Sequence, residues 1–339
     1  TVLGTSFADC AILVVAATQD EYEASMTNDG LTKELALIAF AQGIKQLIVV
    51  VNKMDALSTP CEEARFNEIK TEVGEHLAKL GFQGDKVQYV PVAAWDGENL
   101  TTKSTRMPWY DGLPLLELLD QFTVPRRSDD KPLRVPIQAV YKIGGVGTVA
   151  VGRVETGVLR PGTKVKIGPR NIDATVFSVE AHHMQLAEAL PGTNVGINLK
   201  GVAPSDIERG MVLSDPNHDP ARRTVEFTAQ IVILEHPGQI MASFSPIVHC
   251  HSLQVACRFK QILCKLDRQT GEVLEKNPES VVEGDACLVV LEPEKATVFE
   301  AFREYPSMGR ILLRDGNRTI AVGVIRSVVK SGDAQPRLP

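Results

Sequence analysis

Asn52-Lys53-Met54-Asp55 is the stretch whose residue types and order are best suited to chemistry on a ligand, and it follows the run Leu47-Ile48-Val49-Val50-Val51 directly. Five apolar residues, four of them β-branched, read as a strand covered on both faces, as in a parallel sheet. Ligands bind at the carboxyl ends of such strands. A carboxylate there accepts hydrogen bonds from the ring N1–H and exocyclic amine of a guanine together, a lysine stem covers the base, and an asparagine amide braces the loop. Adenine offers Asp55 no such donor pair, so a site of this kind discriminates by roughly 10^4. The competing reading of the tetrapeptide is an ordinary surface turn, and the preceding strand favours the ligand site.

Other chemistry-bearing residues carry weaker signals. His249-Cys250-His251 with Cys257 could suggest zinc, but residues two apart on a strand share a face while the cysteine between them points away, so ordinary strand residues are the expectation. The six cysteines (Cys10, Cys61, Cys250, Cys257, Cys264, Cys287) lie mostly in apolar runs without a C-x-x-C pair, which points to reduced core residues. Gly144 to Gly152 is glycine-rich, yet it joins two strands and opens no helix, so it reads as a hairpin and not a phosphate cradle. No residue stands out as catalytic, and no metal ligand set is assigned.

The elements that must position these residues follow from periodicity. A strand is expected at Ala11 to Ala16 and a helix near Thr32 to Gln42, stopped by Gly43. Thr59-Pro60-Cys61-Glu62 reads as a capping-box start for a helix carried by Phe66, Ile69, Val73, Leu77 and Leu80 up to Gly81. Val87 to Val92 is a strand running into Ala93-Ala94-Trp95, and Pro114 to Phe122 a last amphipathic helix. Residues 1 to 125 are therefore a doubly wound α/β domain whose first strands are missing.

Pro125 to Pro132 is polar and proline-bounded, so residues 126–132 are read as a linker, with Arg126-Arg127 as solvated charge in preference to a phosphate contact. The period then changes to short β-branched runs: Arg134 to Tyr141, Thr148 to Val154, Lys164 to Ile167, Thr175 to His182 and Asn194 to Leu199. These make a first barrel over 133–222. A second over 223–330 is expected from Val225 to Leu234, Ser245 to Phe259, Ala286 to Leu291 and Thr319 to Val329, with a break at Pro237-Gly238 and an unpatterned tail at 331–339. The fold class is thus multidomain, an α/β domain followed by two all-β barrels.

With 339 residues, 44% hydrophobic and 23% charged, the chain matches a soluble globular protein of two or three domains. No run approaches the ~18 apolar residues of a membrane span and no leader is evident, so a cytoplasmic protein without a membrane partner is expected. Net charge is −6, unevenly spread: residues 1–130 hold 11 Lys and Arg against 20 Asp and Glu, while 131–339 hold 25 against 22. A polyanion would prefer the second part, although that slight excess also suits a solvated surface.

The layout and several motifs resemble one family. Gly4-Thr5-Ser6 with Ala8 to Leu13, Gln46-Leu47-Ile48-Val49, Tyr141 to Gly145, Val151 to Gly157, His236 to Ile240 and Ala256 to Phe259 are similar to the elongation factor 1-alpha family of translational GTPases, including its elongation factor-like relatives. The resemblance recurs in all three parts of the chain. It implies GTP-dependent delivery of aminoacyl-tRNA to the ribosomal A site, with GTP or GDP and Mg2+ as cofactors and the ribosome, a guanine-nucleotide exchange factor and actin as further partners. It implies that Asn52 and Asp55 read guanine, that Lys53 lies along the base, and that backbone N–H groups of Ala93-Ala94-Trp95 meet the base oxygen where the family usually carries serine. It also implies that Tyr141, Glu180, His182, His183 and Asn194 lie in or near the pocket for the aminoacylated 3′ end; taken singly each also suits an ordinary barrel position, with His182 and His183 on opposite faces of a strand. Arg222-Arg223 are candidates for tRNA backbone contacts.

The departure from the family is large. No G-x-x-x-x-G-K-[ST] loop, switch threonine or Asp-x-Pro-Gly-His segment occurs in the 339 residues. Mg2+ ligands are therefore expected outside this chain. Glycine-rich backbone and a lysine hold most of a nucleotide's charge, so this polypeptide is expected neither to bind GTP tightly nor to hydrolyse it. A start at Thr1 and the missing parts read together as an incomplete record of a complete GTPase. The alternatives are a release or rescue GTPase of the same build, and a non-catalytic scaffold that has lost nucleotide hydrolysis.

Overall fold

The computed structural model describes residues 2–27, 30–125, 127–234, 238–316 and 318–333. Thr1, Arg126, His236-Pro237 and residues 334–339, singled out above, lie outside the described residues. The chain forms two compact units, residues 1–125 and 126–339.

The first unit contains α1 (Val2–Thr5), β1 (Cys10–Ala16), α2 (Gln19–Ser25), α3 (Leu31–Ala41), β2 (Gln46–Asn52), α4 (Glu63–Leu80), β3 (Val87–Pro91) and α5 (Leu115–Asp120). The strands form a parallel sheet in the order β1-β2-β3, with Ala16 opposite Asn52 and Val51 opposite Pro91. All of Leu47 to Val51 are buried, as the unbroken apolar run requires. Leu47, Val49 and Val51 pack with Phe66, Ile69, Val73 and Leu77 of α4, while Ile48 and Val50 pack with Val90, Val92 and Leu118. Strand β2, covered on both faces, leaves only its end for a ligand, whereas Ile12 and Val14 of the edge strand β1 are exposed. Gly81, at φ 108°, ends α4 as expected.

One expectation for α4 fails. Glu62 precedes the helix and makes no side-chain capping bond, and Cys61 adopts φ 61°. The capping box does not form because Cys61 N–H donates to the Met54 carbonyl at 2.8 Å, which holds Cys61 against the loop after β2. Helix α4 therefore begins at Glu63.

The second unit contains two closed sheets. In the first, β4 (Arg134–Ile143), β5 (Gly147–Arg153), β6 (Lys164–Gly168), β7 (Ile172–Ala181), β8 (Met184–Gln185), β9 (Asn194–Lys200) and β10 (Val212–Ser214) run in the order β6-β10-β4-β5-β9-β7-β8, and a β6–β7 pairing closes the barrel. The second holds β11 (Thr224–Ile233), β12 (Ile240–Met241), β13 (Ile247–Cys250), β14 (Leu253–Leu266), β15 (Val273–Lys276), β16 (Ser280–Val281), β17 (Ala286–Pro293), β18 (Arg310–Asp315) and β19 (Arg318–Lys330). Its order is β13-β18-β19-β11-β17-β14-β15, closed by β13–β14, with β12 and β16 paired apart. The single strand expected over Ser245 to Phe259 is two strands, because His251, at φ 43°, reverses the chain between Cys250 and Leu253. His249 and His251 thus do not share one strand face.

The barrels interlock through charge. Arg134, wholly buried at the start of β4, gives Nε to Glu300 at 2.8 Å and Nη2 to Asp219 at 2.7 Å. Lys330 reaches Glu300 at 2.7 Å, and the Tyr305 hydroxyl donates to Asp219 at 2.7 Å. Residues expected to be a linker are also tied down: Thr156 Oγ1 donates to the Pro132 carbonyl at 2.6 Å, and Lys131 donates to the Glu304 carbonyl. Among the described residues no helix is long and apolar enough to cross a membrane.

Candidate functional site

The tetrapeptide leaves β2 at its carboxyl end. Lys53 adopts the left-handed conformation (φ 63°, ψ 33°), and Met54 to Ala56 form a single 3-10 turn. Two neighbours fix the bend. Asn52 C=O accepts from Ala17 N–H at 2.7 Å, and Met54 N–H donates to the Val92 carbonyl at 3.2 Å. The Met54 side chain, the variable position of the motif, is fully buried in the core. Its hydrophobic anchor turns Lys53 and Asp55 outward together.

Asn52 braces the second loop. Its Oδ1 accepts from Ala94 N–H at 3.1 Å, which joins the loop after β2 to the Ala93-Ala94-Trp95 loop after β3. Ala93 is buried and exchanges backbone hydrogen bonds with Glu98. Trp95 is 95% exposed, so its ring is no part of the core. Asp55 is half-buried, and among the described residues nothing donates a hydrogen bond to its carboxylate. Lys53 Nζ meets both carboxylate oxygens of Glu21, on α2, at 2.7 Å. The arrangement offers an acceptor pair at Asp55 and a lysine stem beside it; of the backbone N–H groups expected to face a base oxygen, those of Ala93 and Ala94 are taken by the Glu98 carbonyl and Asn52 Oδ1, which leaves the one of Trp95.

Two positions at this site are not singled out by the sequence reading. Asn99, buried at φ 58°, donates from Nδ2 to the Pro91 carbonyl at 2.9 Å and accepts Ser104 N–H at 2.7 Å. It holds the loop between β3 and residue 104 closed. Asn in a Gly-Glu-Asn stretch was the available cue, since Asn tolerates left-handed backbone. Glu21 could not be read at all, because its relation to Lys53 is purely spatial. Beside the loop, burial pushes the Cys61 thiol above its ordinary range although Arg106 pulls the other way, so it stays protonated at neutral pH.

On the first barrel, Tyr141, Glu180 and Asn194 all lie on the outer face of β4-β5-β9-β7. Val195, Ile197 and Leu199 point inward and are buried while Asn194 is exposed. Tyr141 pairs with Val149 and Val149 with Asn198; Glu180 pairs with Gly196; Asn194 pairs with Arg153. The Glu180 row lies between the other two, so the three residues span about 13 Å along the strands. Gly196 stands between them, and a side chain there would meet Val149 and the Glu180 carbonyl. Tyr141 is 54% exposed, and the face is open.

His182 and His183 are placed differently from expectation. Strand β7 ends at Ala181, and both histidines, at φ 50° and 63°, form a two-residue turn to Met184. Positive φ at both central positions is the turn geometry that matches strand twist, so neither lies on a strand face and both are exposed. Both sit at the Asn194 end of the barrel, away from Tyr141.

The residues present fit a guanine base. No three His, Cys, Asp or Glu side chains converge to hold a metal among the described residues, and no step is assigned to Mg2+ in this chain.

Comparison with known proteins finds matches in each part of the chain. Residues 1–125 match the elongation factor Tu GTP binding domain, 147–214 elongation factor Tu domain 2, and 226–326 the GTP-eEF1A C-terminal domain-like family. Elongation factor 1-alpha of Tetrahymena pyriformis is 49% identical over 329 residues, covering 97% of this chain and 76% of that protein. That of Serendipita indica is 48% identical, covering 97% and 74%. Among solved structures, Sup35 complexed with GDP has a TM-score of 0.57 at 32% identity, covering 97% of this chain and 81% of that one; Sup35 complexed with GMPPNP has the same TM-score and identity. With about half of its residues shared with these relatives across almost its whole length, and family models matched in all three parts, the chain belongs to the elongation factor 1-alpha family of GTP-binding translation factors.

Proposed function

We propose that this chain supplies the base-reading half of a guanine-nucleotide site and the barrels of an elongation factor that brings aminoacyl-tRNA to the ribosome. The hydrogen bond from Ala94 N–H to Asn52 Oδ1 carries the reading. It assembles two loops distant in sequence around the unpartnered carboxylate of Asp55. In this reading Asp55 accepts from guanine N1–H and the exocyclic amine, Lys53 covers the base, and Trp95 offers its N–H to the base oxygen, since the Ala94 N–H is already given to Asn52. On the barrel, Tyr141 provides an aromatic face and Glu180 and Asn194 polar groups for the aminoacylated 3′ end, with His182 and His183 at its margin. The complete factor cycles between GTP and GDP with Mg2+, assisted by an exchange factor.

The phosphate-binding loop and switch residues are not in this sequence, so we infer weak GTP binding and no hydrolysis by these 339 residues alone. Tight GTP binding by the chain would overturn that. The release or rescue alternative draws on the likeness to Sup35 at 32% identity. The 49% identity to a protein named elongation factor 1-alpha favours the first reading.

Guanosine tests the base site without phosphates. Titrated into the isotope-labelled chain, it is expected to shift the Ala94 amide resonance, whereas adenosine is not. Asp55→Asn, which loses a charged acceptor, is expected to weaken guanosine binding about 10- to 100-fold. Equal responses to the two nucleosides would remove the guanine assignment.

A further inference from the structure

The Lys53–Glu21 pair is odd for an ordinary surface ion pair. Lys53 is held in left-handed backbone by the bonds around Asn52 and Met54, and Glu21 meets it with both carboxylate oxygens, each at 2.7 Å. The two side chains are 48% and 53% exposed, and exposed pairs contribute little to fold stability. Their partners come from different strand ends, since Glu21 sits on the short helix after β1 and Lys53 follows β2. Ala17 N–H bonds the Asn52 carbonyl, so the two strand ends are already fastened and the ion pair is not needed to join them. What the pair does fix is the course of the lysine stem, from its left-handed backbone toward α2.

We propose that Glu21 is a positioning residue for guanine recognition: by anchoring Lys53 Nζ it sets the four-carbon stem as one wall of the base slot before ligand arrives. This rests on the guanine reading of Asn52, Lys53 and Asp55. A lysine stem is flexible, and ordering it on binding weakens affinity; a stem ordered beforehand avoids that loss. The pair also neutralises the ammonium, so Lys53 acts here through its apolar stem more than through its charge.

The test uses the full chain and guanosine, which carries no charge. Glu21→Gln keeps the size of the side chain and is expected to weaken guanosine binding about three- to tenfold, read from the Ala94 and Asn52 resonances. The thermal midpoint and the Ala94 resonance of the unliganded protein should stay in place, which a merely structural role would not allow. Salt provides an independent reading. At about 1 M NaCl the screening length falls to ~3 Å, so wild-type affinity for guanosine should drop toward that of Glu21→Gln, while the variant should be unaffected. If wild type binds guanosine and Glu21→Gln binds it equally at low salt, Glu21 has no positioning role. If the Ala94 resonance of the free variant moves with its thermal midpoint, the pair is structural and the proposal falls. If wild type itself gives no guanosine response, the guanine reading fails first and the proposal with it.

Discussion

At the scale of single residues, the site depends on small polar groups with no freedom to move. Asn99 satisfies a carbonyl and an N–H from two sides of one loop, and its left-handed backbone disfavours most replacements. Asn99→Ala should lower stability by about 1–3 kcal/mol in urea unfolding, because both partners lose a bond inside the fold. It should also displace the Ala94 amide resonance, since the braced loop begins at Ala93; a variant with unaltered resonances would mean that Asn99 does not support the site. On the barrel, Glu180→Gln keeps volume and removes charge. It should weaken binding of aminoacyl-tRNA to the complete factor while leaving the guanosine response of Ala94 unchanged, and no loss in a filter-binding comparison would favour the non-carrier relatives of the family.

At the scale of elements, β13 and the turn after it carry two histidines that must stay neutral. Burial pushes His249 down to about 4, helped by Arg314 and Arg209, and burial does the same to His251. Cys250 between them is also buried, with its Sγ 3.0 Å from the Met308 carbonyl, and burial raises its thiol well above the usual range. Both imidazoles have folded values below the ordinary value near 6.5, so the unfolded chain binds protons more readily. Stability is then complete above about pH 6.5 and declines as pH falls from there toward 4, by up to roughly 3 kcal/mol per buried histidine. Urea midpoints at pH 7 and pH 5 should show this loss, and His249→Gln with His251→Asn should flatten it. A midpoint that does not move with pH in wild type would contradict the assignment. The same elements show how sequence reading fails locally: alternation put His249 and His251 on one face, but a reversal at His251 ended the strand between them.

At the scale of the whole molecule, described unit by unit, the two barrels share an ionic junction that is buried except at Asp219, on its exposed edge. The group is Arg134, Asp219, Glu300, Tyr305 and Lys330, with the Arg134 guanidinium 4.4 Å from the Tyr305 ring. Burial alone would raise the Asp219 carboxyl, but the Tyr305 hydroxyl, Lys330 and Arg134 outweigh it and hold it below its usual range. Burial and the bond to Asp219 push the Tyr305 phenol up. Charges taken out of water are tolerable only while paired. Arg134→Met should therefore destabilise the second unit by about 3–5 kcal/mol in chemical unfolding, and adding Glu300→Gln should recover part of that. If Arg134→Met unfolds at the wild-type denaturant concentration, the junction is not a stabilising contact.

The sequence by itself determined the buried strand that leads into the candidate loop and the order of the two kinds of fold. An unbroken apolar run, four of its five residues β-branched, ahead of Asn52-Lys53-Met54-Asp55 reads as a buried parallel strand with its polar end outward, and the structure buries Leu47 to Val51 and turns Lys53 and Asp55 away from the core. The helical spacing of Phe66, Ile69, Val73 and Leu77 likewise fixed which face of α4 is covered. Such periods state which side is buried, and that depends on neighbours a few positions away. What only the tertiary structure decided are the pairings across long separations: Glu21 with Lys53, Asn52 with Ala94, Arg134 with Glu300. It also decided the turns at Cys61, His182-His183 and His251, where hydrogen bonding or strand closure overrode the local pattern. Those contacts are set by strand register and by where the chain crosses itself, and no local spacing of residue types records either.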